Sequence, residues 1–90
     1  MAEITPVKDF LSHTIDKLPD YMKDVHADPS VIFSPCSSFI RYEPLGVALI
    51  MGSWNFPYFV TLKPLIVAIA AGNCSIVKPS ELGPNSSAAM

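Results

Sequence analysis

Residues Gly46–Gly52 read GVALIMG, an apolar run without a polar interruption and with a glycine at each end. A strand with one wet face alternates polar and apolar residues, whereas a strand covered on both faces of a parallel sheet does not. Cys74–Val77, interrupted only by Ser75, reads as a second buried strand. Between the two, a loop over Ser53–Pro57 leads into a helical stretch, Tyr58–Ala71. Pro64 is expected to bend or split that helix, and Gly72-Asn73 to end it. Strand, helix and strand in this order predict one right-handed βαβ unit. The loops around Trp54-Asn55 and around Lys78–Glu81 then lie at the carboxyl edge of a parallel sheet, where ligands bind.

The charges divide the chain. Of six basic and eight acidic side chains, only Lys63, Lys78 and Glu81 fall beyond Glu43. Residues 1–43 are therefore expected to form a peripheral wrapping, and residues 44–90 the βαβ part of an incomplete domain. In the first part, Thr5-Pro6 offers a hydroxyl cap and a proline for the first helical position. Val7, Phe10, Leu11, Ile15 and Leu18 follow on one helical face. Pro19 is expected to end this helix, with a second short turn of helix over Asp20–Asp24. Val31–Phe33 and Phe39–Tyr42 read as short strands around a Ser-Pro-Cys-Ser-Ser loop. Nine prolines in 90 residues, about twice the usual share of ~5%, keep the elements short.

Composition excludes several classes. A net charge of −2 and a pI near 5.4 argue against a nucleic-acid surface or a polybasic membrane patch. The apolar run Leu65–Ala71 is far too short to span a bilayer, and Glu3 comes too early for a secretory leader. Cys36 and Cys74 fit neither a disulfide scaffold nor a metal-ligand spacing, so no metal site is expected. A soluble, cytoplasmic product is the expectation. Half the residues are apolar and mean hydropathy is +0.37, more than 90 residues can cover in a core of their own. The chain is expected to be a fragment, poorly soluble or molten in isolation.

The loop residues have structural readings first. Asn55 stands where an N-cap of the following helix belongs. Trp54 suits an apolar anchor for the turn, and Lys78 and Glu81 a solvated ion pair. A carboxylate at the end of the second strand also suits ribose hydroxyls. No GxGxxG follows the first strand, which counts against an ordinary Rossmann dehydrogenase.

Three ordered motifs, EPLGVALIMGSWNFP, PLIVAIAAGN and IVKPSE, resemble the aldehyde dehydrogenase superfamily, and its class 3, fatty-aldehyde-type branch most of all. The resemblance is firm from Tyr42 to about Ser87 and looser over the N-terminal helix. It implies an α/β fold, the Rossmann-like βαβ portion of a cofactor-binding domain preceded by an N-terminal helix and short strands. It implies oxidation of an aldehyde to a carboxylic acid with NAD or NADP. In the family a cysteine thiolate attacks the carbonyl, hydride passes to the nicotinamide, and a glutamate activates the hydrolytic water. Asn55 matches the asparagine whose amide stabilises the oxyanion. Met51, Gly52, Ser53 and Trp54 match the backbone beside the cofactor. Lys78, Pro79, Ser80 and Glu81 match the loop whose lysine and glutamate hold the adenosine ribose, and the lysine leaves a 2′-phosphate admissible. A homo-oligomer is expected of a complete enzyme, with a small aldehyde as its partner.

Glu81-Leu82-Gly83 resembles the family's Glu-Leu-Gly-Gly-Lys base motif, but Pro84 follows and Lys-Pro-Ser precedes, which excludes the base. Cys36 lacks the Gly-Gln-x-x-Cys context of the nucleophile, and Cys74 reads as a small buried hydrophobe. His13 and His26 read as surface residues, and Asn85-Ser86-Ser87 as a cap for a following helix. The nucleophile and the base are therefore expected to lie outside these residues, and the segment alone to be inactive. The alternative function is a non-catalytic truncated fragment or interaction module of the same fold.

Overall fold

The helical spacing at the start of the chain produces a single long helix. The computed structural model describes residues 3–90, and α1 runs over Ile4–Tyr21. It begins one residue before the expected Thr5 cap, so Pro6 falls in the first turn, where its missing N–H costs nothing. Pro19 lies inside the last turn and does not end the helix as expected. It removes one donor there, and Met22 N–H still closes on Leu18 O at 3.1 Å. Val7 and Thr14 are buried, with Phe10 and Leu18 half-buried beside them, whereas Leu11 and Ile15 face outward. Thr14 tolerates burial because its hydroxyl donates to Phe10 O at 2.8 Å.

Next comes a small antiparallel pair, β1 (Val25–Ala27) and β2 (Ser38–Ile40), in the register Val25↔Ile40 and Ala27↔Ser38. Arg41 donates to both carboxylate oxygens of Asp24, at 2.8 and 2.6 Å, and fastens the base of the pair. Val31–Phe33, expected as a strand, is a 3-10 turn instead. Phe33 N–H closes on Ser30 O, Pro29 and Pro35 bracket the segment, and among the described residues no strand pairs with its apolar triplet.

The second half follows the expected plan. β3 (Val47–Met51) pairs in parallel with β4 (Cys74–Lys78), and α2 (Pro57–Ala70) connects them. Helix α2 continues through Pro64. Its end is a Schellman motif: Gly72 N–H returns to Ile69 O, Asn73 N–H to Ala68 O, and Gly72 takes φ 84°. The start of the sheet is tied from both sides. Cys74 N–H donates to Gly46 O, and Gly46 N–H to the Asn73 side-chain oxygen, both at 2.8 Å.

Helix α2 packs on α1 along one side and on β3 and β4 along another. Ile50 is buried and Ala48 half-buried, while Val47, Leu49 and Met51 are exposed, so α2 covers one apolar face of the sheet. Cys74, expected to be buried, is exposed for the same reason. Lys63 places its ammonium 4.8 Å from the Phe10 ring and 5.1 Å from the Phe59 ring, holding a charge between the helices by cation–π contact. A short α3 (Pro84–Ala89) closes the chain. Gly83, not Asn85, occupies its cap position, and Asn85 lies within it. Extents of 60 × 24 × 16 Å and a radius of gyration of 18.1 Å, against about 12 Å for a compact chain of this length, describe an elongated segment. Among the described residues no helix is long and apolar enough to cross a membrane.

Candidate functional site

Parallel pairing brings the two predicted loops together. Met51 is in register with Lys78, and Gly52 N–H extends the ladder by one bond to Lys78 O at 2.9 Å. Gly52–Asn55 and Pro79–Glu81 therefore leave the same edge of the sheet from adjacent strands. Gly52 is half-buried, and a Cβ there would overlap Thr61 Oγ1. Thr61 is the single fully buried side chain among the described residues. Gly52→Ala is accordingly expected to destabilise the full-length chain by about 1–3 kcal/mol. Adding Thr61→Ala should restore much of the loss in urea unfolding, whereas adding Thr61→Ser, which keeps the oxygen, should not.

In the turn, the Ser53 hydroxyl is shared between Asn55 Oδ1, at 2.8 Å, and Asn55 O, at 3.0 Å. A donor on Oδ1 distinguishes the two ends of the amide and leaves Nδ2 as the group with donors to spare. That nitrogen makes no hydrogen bond among the described residues. Asn55 is not the helix cap that its position suggests. Phe56 occupies the cap position of α2, in the left-handed region at φ 49° and ψ 51°. The N–H groups of Tyr58 and Phe59 instead meet the Glu3 carboxylate, at 3.0 and 3.2 Å. No pattern around Glu3 marks it for this task, because the partners stand 55 residues apart. Trp54 is 63% exposed and anchors no core, contrary to the apolar reading of it, and Met51 is also exposed.

Across the edge, Lys78 Nζ meets Glu81 Oε2 at 2.7 Å. That hydrogen bond holds the Glu81 carboxyl below its ordinary value. Ser80 Oγ accepts from Leu82 N–H at 3.2 Å, and Ser80 O accepts from the Ser87 hydroxyl at 2.7 Å, which shapes the loop after the half-buried Pro79. The edge thus presents an exposed asparagine with a free amide donor on one loop and a paired carboxylate and ammonium on the other. Two cavities among the described residues lie elsewhere. One, about 600 Å³, opens between the end of α1, the end of α2 and Tyr42-Glu43; the other, about 660 Å³, runs along β3 and α2 past Phe59 and Lys63. No predicted site residue lines either one.

Comparison with known proteins bears on the family and the fold. The sequence model of the aldehyde dehydrogenase family matches residues 1–90. A dimeric NADP-preferring aldehyde dehydrogenase of the dog is 41% identical over 83 residues, 92% of this chain and 18% of its own. The rat aldehyde dehydrogenase family 3 member A2 is 40% identical over 83 residues, covering 92% of this chain and 17% of its own. A solved structure of Staphylococcus aureus AldH in a substrate-bound state superposes with a TM-score of 0.89 at 38% identity, over 92% of this chain and 18% of that one. The chain thus spans less than a fifth of the length of the relatives it matches. Sequence, fold and the two facing loops lead to one assignment: the chain belongs to the aldehyde dehydrogenase family, with its likeness to the class 3 branch.

Proposed function

We propose that this segment serves the NAD(P)-dependent oxidation of an aldehyde to a carboxylic acid in a full-length dehydrogenase, supplying the oxyanion donor and the first part of the cofactor site. The observation that carries the reading is the Gly52 N–H to Lys78 O bond, which sets the Asn55 turn and the Lys78–Glu81 loop side by side.

The donor set fits a dinucleotide. The Glu81 carboxylate accepts from vicinal ribose hydroxyls, and Lys78 donates to a hydroxyl or to a 2′-phosphate. Met51, Gly52, Ser53 and Trp54 on one loop, and Pro79 and Ser80 on the other, form the backbone against which the cofactor lies. When bound, the cofactor supplies the hydride acceptor. The chain's own contribution to the chemistry is electrostatic. As a thiolate supplied from outside this segment adds to the aldehyde carbon, the carbonyl oxygen takes on negative charge. Asn55 Nδ2, left with donors to spare by the Ser53 bond to Oδ1, donates to that oxygen, and being neutral it needs no charge desolvated.

The test is to incubate the full-length dehydrogenase with NAD or NADP and a series of aliphatic and aromatic aldehydes. Cofactor reduction with equimolar acid is expected. Absence of reduction across the series would overturn the oxidative reading in favour of a non-catalytic module.

A further inference from the structure

The N-terminus of α2 is built without a local cap. Of its first backbone nitrogens, Pro57 carries no hydrogen, and Val60 N–H already closes on Phe56 O at 3.1 Å. The N–H groups of Tyr58 and Phe59 are the two left over, and such groups need a partner. Phe56, at the cap position, has an apolar side chain and offers neither of them an acceptor. Both donate to one atom, Glu3 Oε2, at 3.0 and 3.2 Å. Glu3 is itself the residue before α1, so the carboxylate ties the starts of both helices together.

This bond sits directly behind the catalytic turn. Only Phe56 and Pro57 separate Asn55 from the first N–H that Glu3 holds, and Phe56 stands in a left-handed conformation that a non-glycine residue adopts only against steric resistance. A conformation of that kind persists where its surroundings over-determine it. Ser53 fixes the turn on one side of Asn55, and Glu3 on the other.

We propose that Glu3 is a positioning residue for Asn55, holding the first turn of α2 so that the amide of Asn55 keeps its aim at the substrate oxygen. The proposal rests on the reading of Asn55 as the oxyanion donor, and it adds a residue whose influence on the reaction passes through the helix terminus. A carboxylate is well suited to this task. Its charge is favoured at a helix N-terminus, and one of its oxygens can accept two N–H groups at once. Alanine leaves both N–H groups without a partner and frees the turn. Glutamine keeps an oxygen acceptor at the same reach.

The experiment is a double-mutant cycle in the full-length dehydrogenase, read as single-turnover hydride transfer at saturating cofactor and aldehyde. Glu3→Ala is expected to slow transfer about five- to tenfold, short of the ~10²-fold that a 1 Å misplacement can cost. The KM for cofactor should stay within about twofold, and Glu3→Gln should recover most of the rate. On an Asn55→Ala background, Glu3→Ala should cost nothing further, because the group it aims is gone. An equal loss on both backgrounds, or no loss on the parent, would overturn the positioning role. If Glu3→Ala does not fold, Glu3→Asp, which keeps the charge and shortens the reach, enters the same cycle with the same criterion. Should Asn55→Ala alone leave hydride transfer unchanged, the oxyanion reading fails and the positioning role fails with it, whatever Glu3 does. A slow Asn55→Ala with additive Glu3 variants sinks the positioning role alone.

Discussion

Asn55→Ala in the full-length dehydrogenase should slow the acyl-forming step about 10²–10³-fold. The loss falls on the rate because the hydrogen bond strengthens as charge develops on the substrate oxygen. Cofactor affinity should barely change. Stability should change little as well, since the N–H groups at the start of α2 are satisfied by Glu3 and Phe56 occupies the cap position. Asn55→Asp sharpens the test. Aspartate matches asparagine in size and would serve a capping role as well. It would also present a carboxylate to a growing negative charge, so its rate should be at least as low as that of the alanine variant. Wild-type hydride transfer by Asn55→Asp in a single turnover would remove Asn55 from the oxyanion site.

The second large effect is expected at Glu81. Glu81→Gln replaces the carboxylate proposed to accept from ribose hydroxyls with a neutral amide, and NAD affinity should fall about tenfold or more in a binding titration. NADP should lose less, because a 2′-phosphate is repelled by the same carboxylate. Equal losses for the two cofactors would take Glu81 out of the ribose site. The pH dependence follows from the Lys78 hydrogen bond, which lowers the Glu81 carboxyl from its ordinary 4.5. The ionised carboxylate is the form that accepts from hydroxyls, and it is lost only as pH falls through this lowered value. The affinity gap between wild type and Glu81→Gln should therefore persist at pH 4.5 and close only at lower pH. Lys78→Met should move the closing point upward, toward that of an unpaired glutamate.

How far these sites could be read from the sequence depended on how local their causes were. The βαβ unit rests on contiguous signals: a glycine-bounded apolar run, a helix that ends at Gly72-Asn73, and a second run interrupted only by Ser75. Each acts within a few residues, and each element formed where its pattern lay. The features that differed depend on distant partners. Val31–Phe33 has strand composition, but among the described residues no strand pairs with it, and it closes on itself as a 3-10 turn. Pro19 breaks a helix in its interior, yet in the last turn it removes a single bond that packing of α1 on α2 offsets. Asn55 had the composition of a cap, but Phe56 takes the cap position, and the carboxylate that meets Tyr58 N–H comes from 55 residues away in sequence. The likeness of the motifs pointed to the same two loops before any geometry was known. What the sequence could not show is that the Ser53 hydroxyl bonds the Asn55 amide oxygen within the turn.

The polar bonds at the two ends of the β3–β4 pair bear on strand slippage. A strand that is polar on one face is held in register by that asymmetry, since a shift by one residue would bury its polar side chains. Strand β3 has no such safeguard, because Val47, Leu49 and Met51 on one face are as apolar as Ala48 and Ile50 on the other. Its alignment is instead pinned at the ends, by Gly46 with Asn73 and Cys74 before the first paired residues and by Gly52 with Lys78 after the last. A slip of one residue would slide the strands past each other by about 3.3 Å and turn every β3 side chain to the opposite face. The Asn55 turn and the Glu81 loop would then no longer leave the edge abreast. Two backbone bonds and one asparagine side chain thus act as a vernier for the distance between the Asn55 turn and the Glu81 loop.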